Sequence, residues 1–151
     1  MAKNRYTFRA QVTHNLGNGL QITIPAGTEM CIEKISIDET TYGFQGRQFP
    51  TDWLDISTYT TPWSTVNPAT IVKINGFSPP SALTIGELDG NTIGTYEGTL
   101  LRHQFKSIGN SIQITFPMGR EIQLVGPRWF TFQTGTGSQF AASYSMVWSE
   151  S

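Results

Sequence analysis

Acid–base, nucleophilic or metal chemistry in this 151-residue chain would fall to two histidines, one cysteine and eleven carboxylates. His14 and His103 lie far apart, and no Gly-x-Ser-x-Gly elbow offers either of them a nucleophile. One cysteine and two distant histidines give no chelating spacing, whereas a closed structural zinc site needs four N or S ligands. Asp38-Glu39 and Asp52-x-x-Asp55 are the acidic clusters, too sparse in oxygens for a calcium loop, and read as turn and cap residues. Glycoside cleavage would require an acid and a base facing one groove, and although six of the eleven acids fall between Glu29 and Asp55, that density is ordinary for a barrel surface. Gly135-Thr136-Gly137-Ser138 resembles a phosphate loop only in its glycines, because it has no lysine and no helix follows. The expectation is a chain without enzymatic activity, cofactor or metal.

Binding chemistry has better material. Nine Phe, five Tyr and four Trp make up 12% of the chain, and such side chains can stack on rings or fill a partner's pocket. Trp129 and Trp148 sit in strand-like surroundings and are expected in the core; Trp63 stands in a Pro-rich stretch where nothing obvious buries it. Ten basic residues against eleven acidic ones leave a net charge of −1, which removes the usual driving term for nucleic acid. No run of 18 apolar residues exists to form a membrane helix, so neither partner class is expected. Met1-Ala2-Lys3-Asn4-Arg5 is not followed by the apolar stretch of a secretory signal, and no Asn-x-Ser/Thr site occurs. Cys31, between apolar neighbours, reads as a buried small hydrophobe, so synthesis in a reducing compartment, or at least folding that does not depend on oxidation, is expected.

The elements that would position these residues are strands. Fifteen Gly and eight Pro interrupt nearly every window long enough for a helix. Leu20-Gln21-Ile22-Thr23-Ile24 alternates cleanly, Met30 to Ile37 forms the next strand, and Asp38-Glu39-Thr40 reads as a hairpin turn. Pro50-Thr51-Asp52-Trp53-Leu54 reads as a single helical turn. Residues 57–70, rich in Thr, Ser and Pro, read as a connection, and further strands follow from Ile71 to Trp148.

An internal repeat organises the whole. Gly17 to Ile32 matches Gly109 to Leu124 at a constant offset of 92, with eight of sixteen positions identical. In both copies a Gly-Asn turn launches an alternating strand, a proline ends its ladder and a glycine lets the chain reverse. Duplication of a small barrel would explain this, as would one hairpin motif recurring within a single sandwich. The expected fold is all-β: a small barrel over 1–56, the 57–70 connection, and a second barrel or sandwich over 71–151, with one intertwined sandwich as the alternative.

The Ile24-Pro25-Ala26-Gly27-Thr28 turn, the acidic hairpin and Phe49-Pro50-Thr51-Asp52-Trp53-Leu54 together resemble SH3-like barrels. In size, β character and polarity the chain resembles capsid decoration (cement) proteins of tailed bacteriophages. That resemblance implies a virion protein, made in the host cytoplasm, that binds the major capsid protein and bridges neighbouring subunits, working as a homotrimer. The alternatives are a receptor- or glycan-binding module of a phage tail or vertex and, least favoured, a small hydrolase. The expected partner-binding residues are Tyr6, Phe8 and Arg9 in an N-terminal arm that could add to a neighbour, and Tyr59 and Trp63 in the connection.

Overall fold

The structure, a computed structural model, describes residues 3–14, 19–41, 53–104, 111–134 and 140–151. All regular structure in these residues is β, as twelve strands: β1 (Asn4–His14), β2 (Gly19–Ile24), β3 (Glu29–Thr41), β4 (Trp53–Tyr59), β5 (Thr65–Val66), β6 (Ile71–Lys73), β7 (Thr84–Leu88), β8 (Tyr96–Gln104), β9 (Ser111–Thr115), β10 (Ile122–Val125), β11 (Arg128–Thr134) and β12 (Phe140–Glu150). They form two antiparallel sheets. The first runs β10-β3-β12-β1-β6 with β9 also on β3, and the second runs β5-β7-β2-β11-β4-β8.

Period-two alternation builds one core between the sheets. Tyr6 and Phe8 from β1, Ile35 and Ile37 from β3, and Tyr144, Met146 and Trp148 from β12 point inward from the first sheet. Leu20, Ile22 and Ile24 from β2, Ile56 from β4, and Phe130 and Phe132 from β11 meet them from the second. The rings interlock: Phe132 lies 5.2 Å from Tyr144, and Tyr6 stacks on Trp148 at 5.9 Å.

The all-β expectation holds. No closed barrel forms among the described residues, and the pairing departs from two consecutive modules. β1 and β3 both pair with β12, β3 also pairs with β9 and β10, β2 and β4 pair with β11, and β4 pairs with β8. Each of these ladders joins a strand before residue 60 to one after residue 95. The remaining ladders, β1–β6, β2–β7 and β5–β7, involve the intervening segment. This is the arrangement of a single intertwined sandwich.

The repeat explains the interlacing. Matching β1 with β8, β2 with β9, β3 with β10 and β11, and β4 with β12 turns one sheet's ladders into the other's. β1–β12 becomes β8–β4, β12–β3 becomes β4–β11, and β3–β9 becomes β11–β2. Apart from β10, which pairs with its own counterpart β3 in the first sheet, the two halves are therefore related by an approximate exchange of sheets. The shared turn survives in detail. Thr28 N–H donates to Pro25 O at 3.2 Å and Arg120 N–H to Pro117 O at 2.9 Å, with Gly27 at φ +80° and Gly119 at φ +82°. A left-handed third turn position is what glycine provides without a Cβ clash. The consequences differ between copies. After Gly27 the chain crosses from the second sheet to the first, whereas β9 and β10 both lie along β3, so the Pro117–Arg120 turn projects from a sheet edge.

Three local expectations change. Asp38, read as part of a turn, lies within β3, which β9 pairs as far as Asp38 and β12 carries on to Thr41. Trp53 and Leu54, read as helical, begin β4, which also takes Ser57 to Tyr59 out of the connection. Residues 42–52, including Phe49 and Pro50 of the barrel-like ending, lie outside the described residues, as does the Gly135–Ser138 loop.

Candidate functional site: an outer concavity and the loops around it

Inward alternation on β1, β3 and β12 leaves Arg5, Lys34 and Val147 on the outer face of the first sheet. There they floor a concavity of about 630 Å³, bounded by Ile74 and Asn75 after β6 on one side and by Phe116, Met118 and Glu121 on the other. Lys3 completes a lining with three cations and two carboxylates. Arg5 Nη2 pairs with Glu33 Oε2 at 2.7 Å. Gly119 N–H donates to Glu121 at 2.6 Å; hydrogen bonding from Glu121's own backbone first, and then from Gly119, lowers the pKa of that carboxyl.

Two large apolar side chains stand on formed turns beside this face. Met118 is 94% exposed at the tip of the Pro117–Arg120 turn. Phe77 is 99% exposed on the turn after β6, where Ser78 N–H donates to Asn75 O at 3.0 Å and Phe77 N–H to Asn75 Oδ1 at 3.1 Å. Both side chains are thus held in water by backbone fixed through its own hydrogen bonds. Sequence reasoning missed both. A Phe inside Asn-Gly-Phe-Ser and a Met inside Pro-Met-Gly were the available signals, since turn chemistry places such residues at a tip.

The residues chosen from sequence are distributed otherwise. Tyr6 and Phe8 are each 1% exposed, and β1 is an interior strand paired with β12 and β6, so they build the core and do not form a surface arm. The Tyr6 hydroxyl donates to Pro79 O at 2.9 Å. Arg9 is exposed on the outer face and donates from Nε to Ser143 Oγ at 3.2 Å. Tyr59 is buried on the far side of the second sheet, its hydroxyl donating to Gln133 Oε1 at 2.6 Å, and burial raises the pKa of its phenol. Trp63 is half-buried and meets Tyr59 edge-on at 5.9 Å, while its backbone N–H and C=O bind the Gln21 side-chain amide at 2.9 and 3.0 Å. The connection is thus strapped over the outer face of the second sheet. Trp148 is fully buried as expected; Trp129 is half-buried, and Cys31 is half-buried beside Gln123. The side chains of His14, His103 and Trp53 lie outside the described residues. Among the described residues no three His, Cys, Asp or Glu side chains converge, and no helix is long and apolar enough to cross a membrane.

Asp89 fastens the strap. Its carboxylate accepts from the Ser64 hydroxyl and from Asn91 N–H at 2.9 Å, and Ser64 Oγ accepts from Thr92 N–H at 2.9 Å. The Ser64 hydrogen bond, more than any other cause, lowers the Asp89 pKa. A carboxyl depressed in the folded state stabilises above its unfolded pKa and ceases to as pH falls through the folded one. Acid below about pH 4 will therefore loosen the strap. Trp63 fluorescence will change there in the native protein, and Asp89→Asn will remove that acid-dependent component.

No family model and no curated protein matches the chain.

Proposed function

We propose that this protein is a non-enzymatic structural component of a tailed-bacteriophage virion, one that binds the outer capsid surface and bridges neighbouring capsid subunits. The observation that carries the reading is the placing of Phe77 and Met118, almost wholly in solvent, on turns fixed by their own hydrogen bonds. A sandwich with a continuous aromatic core is a stiff support for such anchors, and stiffness lowers the entropy that docking must overcome. The mechanism is mechanical. Apolar side chains enter pockets on adjacent subunits, and several copies joined to one another hold by avidity against the outward pressure of packaged DNA. The test is rebinding of the isolated protein to shells stripped of it, with Phe77→Ser as the variant that should rebind more weakly.

A further inference from the structure

We propose that Asn75 is a site of spontaneous modification: the backbone nitrogen of Gly76 attacks the Asn75 side chain, and water opens the resulting cyclic imide to aspartate and isoaspartate. The proposal does not depend on what Phe77 docks against.

The reaction needs a carboxamide held beside the following peptide nitrogen, a nitrogen able to lose its proton to water, and room for the ring to close. These conditions meet at Asn75. Its Oδ1 accepts from Phe77 N–H at 3.1 Å, an Asx turn whose hydrogen-bonded ring contains both reacting atoms, Cγ and the Gly76 nitrogen. The same bond draws electron density from Cγ and makes it a better electrophile. Gly76 is exposed, and among the described residues its N–H meets no acceptor. A Cβ built at Gly76 would find nothing within 4 Å, so no neighbouring group obstructs the closure.

At Asn18, Asn67 and Asn91 the same chemistry is obstructed. Asn18-Gly19 is the second Asn-Gly pair of the chain. Gly19, however, is buried at the start of β2 opposite Gln133 of β11, where a Cβ would collide with Phe132 O. Asn67 precedes Pro68, whose nitrogen has no proton to lose. Asn91 precedes the β-branched Thr92, whose N–H is engaged with Ser64 Oγ at 2.9 Å. Asp89-Gly90 also offers a glycine, but the Ser64 hydroxyl lowers the Asp89 pKa, and an ionised carboxylate is a poor electrophile.

In the first step the bond from Gly76 N to Asn75 Cγ forms and the Cγ–Nδ2 bond breaks. Ammonia leaves with the proton that Gly76 N–H gives up. Water then attacks one of the imide carbonyls. Attack at Cγ restores the main chain with aspartate at position 75. Attack at the main-chain carbon breaks its bond to Gly76 N and leaves isoaspartate, with the main chain running through Cβ and Cγ. In that product the two acceptors of the turn exchange roles: Oδ1 becomes the main-chain carbonyl, and the oxygen that accepts from Ser78 N–H becomes part of a free carboxylate. The main chain ahead of Phe77 is then longer by a carbon atom, so the turn that holds Phe77 in solvent is rebuilt. Either product also adds a negative charge to the wall of the concavity, which Asn75 lines.

The test holds the full chain in mildly alkaline buffer, native in one sample and unfolded by urea in another. Peptides are mapped by mass spectrometry with a fragmentation that tells isoaspartate from aspartate. In the native sample Asn75 should convert severalfold faster than Asn18, with isoaspartate in excess over aspartate. In urea the two Asn-Gly pairs should convert at similar rates. Mildly acidic buffer should slow the native reaction, because the Gly76 nitrogen must lose a proton. Gly76→Ala, for which the turn has room, should melt as the wild type does and lose the fast conversion. Equal native rates at Asn75 and Asn18, an Asn75 that stays intact while another asparagine converts, or wild-type conversion in Gly76→Ala would each overturn the proposal. The comparison of native with unfolded chain needs no variant, so it decides the matter even if Gly76→Ala fails to fold.

Discussion

Residues 1–60 produced alone will show no cooperative melt, and neither will residues 61–151; produced together they will assemble into a folded complex. Every ladder joining β1 through β4 to β8 through β12 crosses between the halves. An isolated first half would leave β1, β2, β3 and β4 without their principal partners and their apolar faces in water, and lone strands of that kind are not stable. Its Tyr6, Phe8, Ile35 and Ile37 find Phe132, Tyr144 and Trp148 only when the second half is present. Circular dichroism with thermal melts of each fragment and of the mixture measures this. A sharp melt for residues 1–60 alone would restore the tandem-barrel view.

Trp148→Ala will cause the largest loss of stability among single truncations. Trp148 is fully buried, stacks on Tyr6 at 5.9 Å and contacts Phe8 at 6.2 Å. Its Nε1 donates to Glu150 Oε1 at 2.9 Å, and the Glu150 carboxylate also takes the Ser81 hydroxyl and Ala82 N–H. Removing a buried indole costs about 3–5 kcal/mol. For a domain of this length that lowers Tm by on the order of 10 °C. The effect will spread to the loop before β7, since the Tyr6 hydroxyl and Glu150 hold Pro79 through Ala82 against this end of the core. Trp148→Phe keeps the ring packing and loses the hydrogen bond, so it should cost only about 1–2 kcal/mol. Equal losses for the two variants would mean that the hydrogen bond, not the indole's bulk, holds this end together.

Strand content was legible because alternation is local: Leu20, Ile22 and Ile24 declare one face regardless of what lies opposite. The repeat was legible for the same reason, as was the turn chemistry at Gly27 and Gly119. Which strands pair was not, because pairing partners lie up to the length of the chain apart and nothing in Tyr6 announces Trp148 as its neighbour. Sequence order suggested that the two copies would fold one after the other. Duplicated strands are equally able to pair with each other's partners, and that is what β3 and β12 do. The site was the least legible part. Aromatic type drew attention to Tyr6, Phe8 and Trp63, yet aromatic strand residues bury by default, and Trp63 found Tyr59 and Gln21 within its own chain. Exposure at Phe77 and Met118 is set by turns, not by residue type.

The virion reading is tested most directly by adding purified protein to stripped phage shells and sedimenting them. The account predicts saturable uptake, a bound amount comparable to the number of capsid subunits, a higher shell disruption temperature, and weaker uptake for Phe77→Ser. Protein that remains in the supernatant at micromolar concentration, with shells that break at an unchanged temperature, would contradict it.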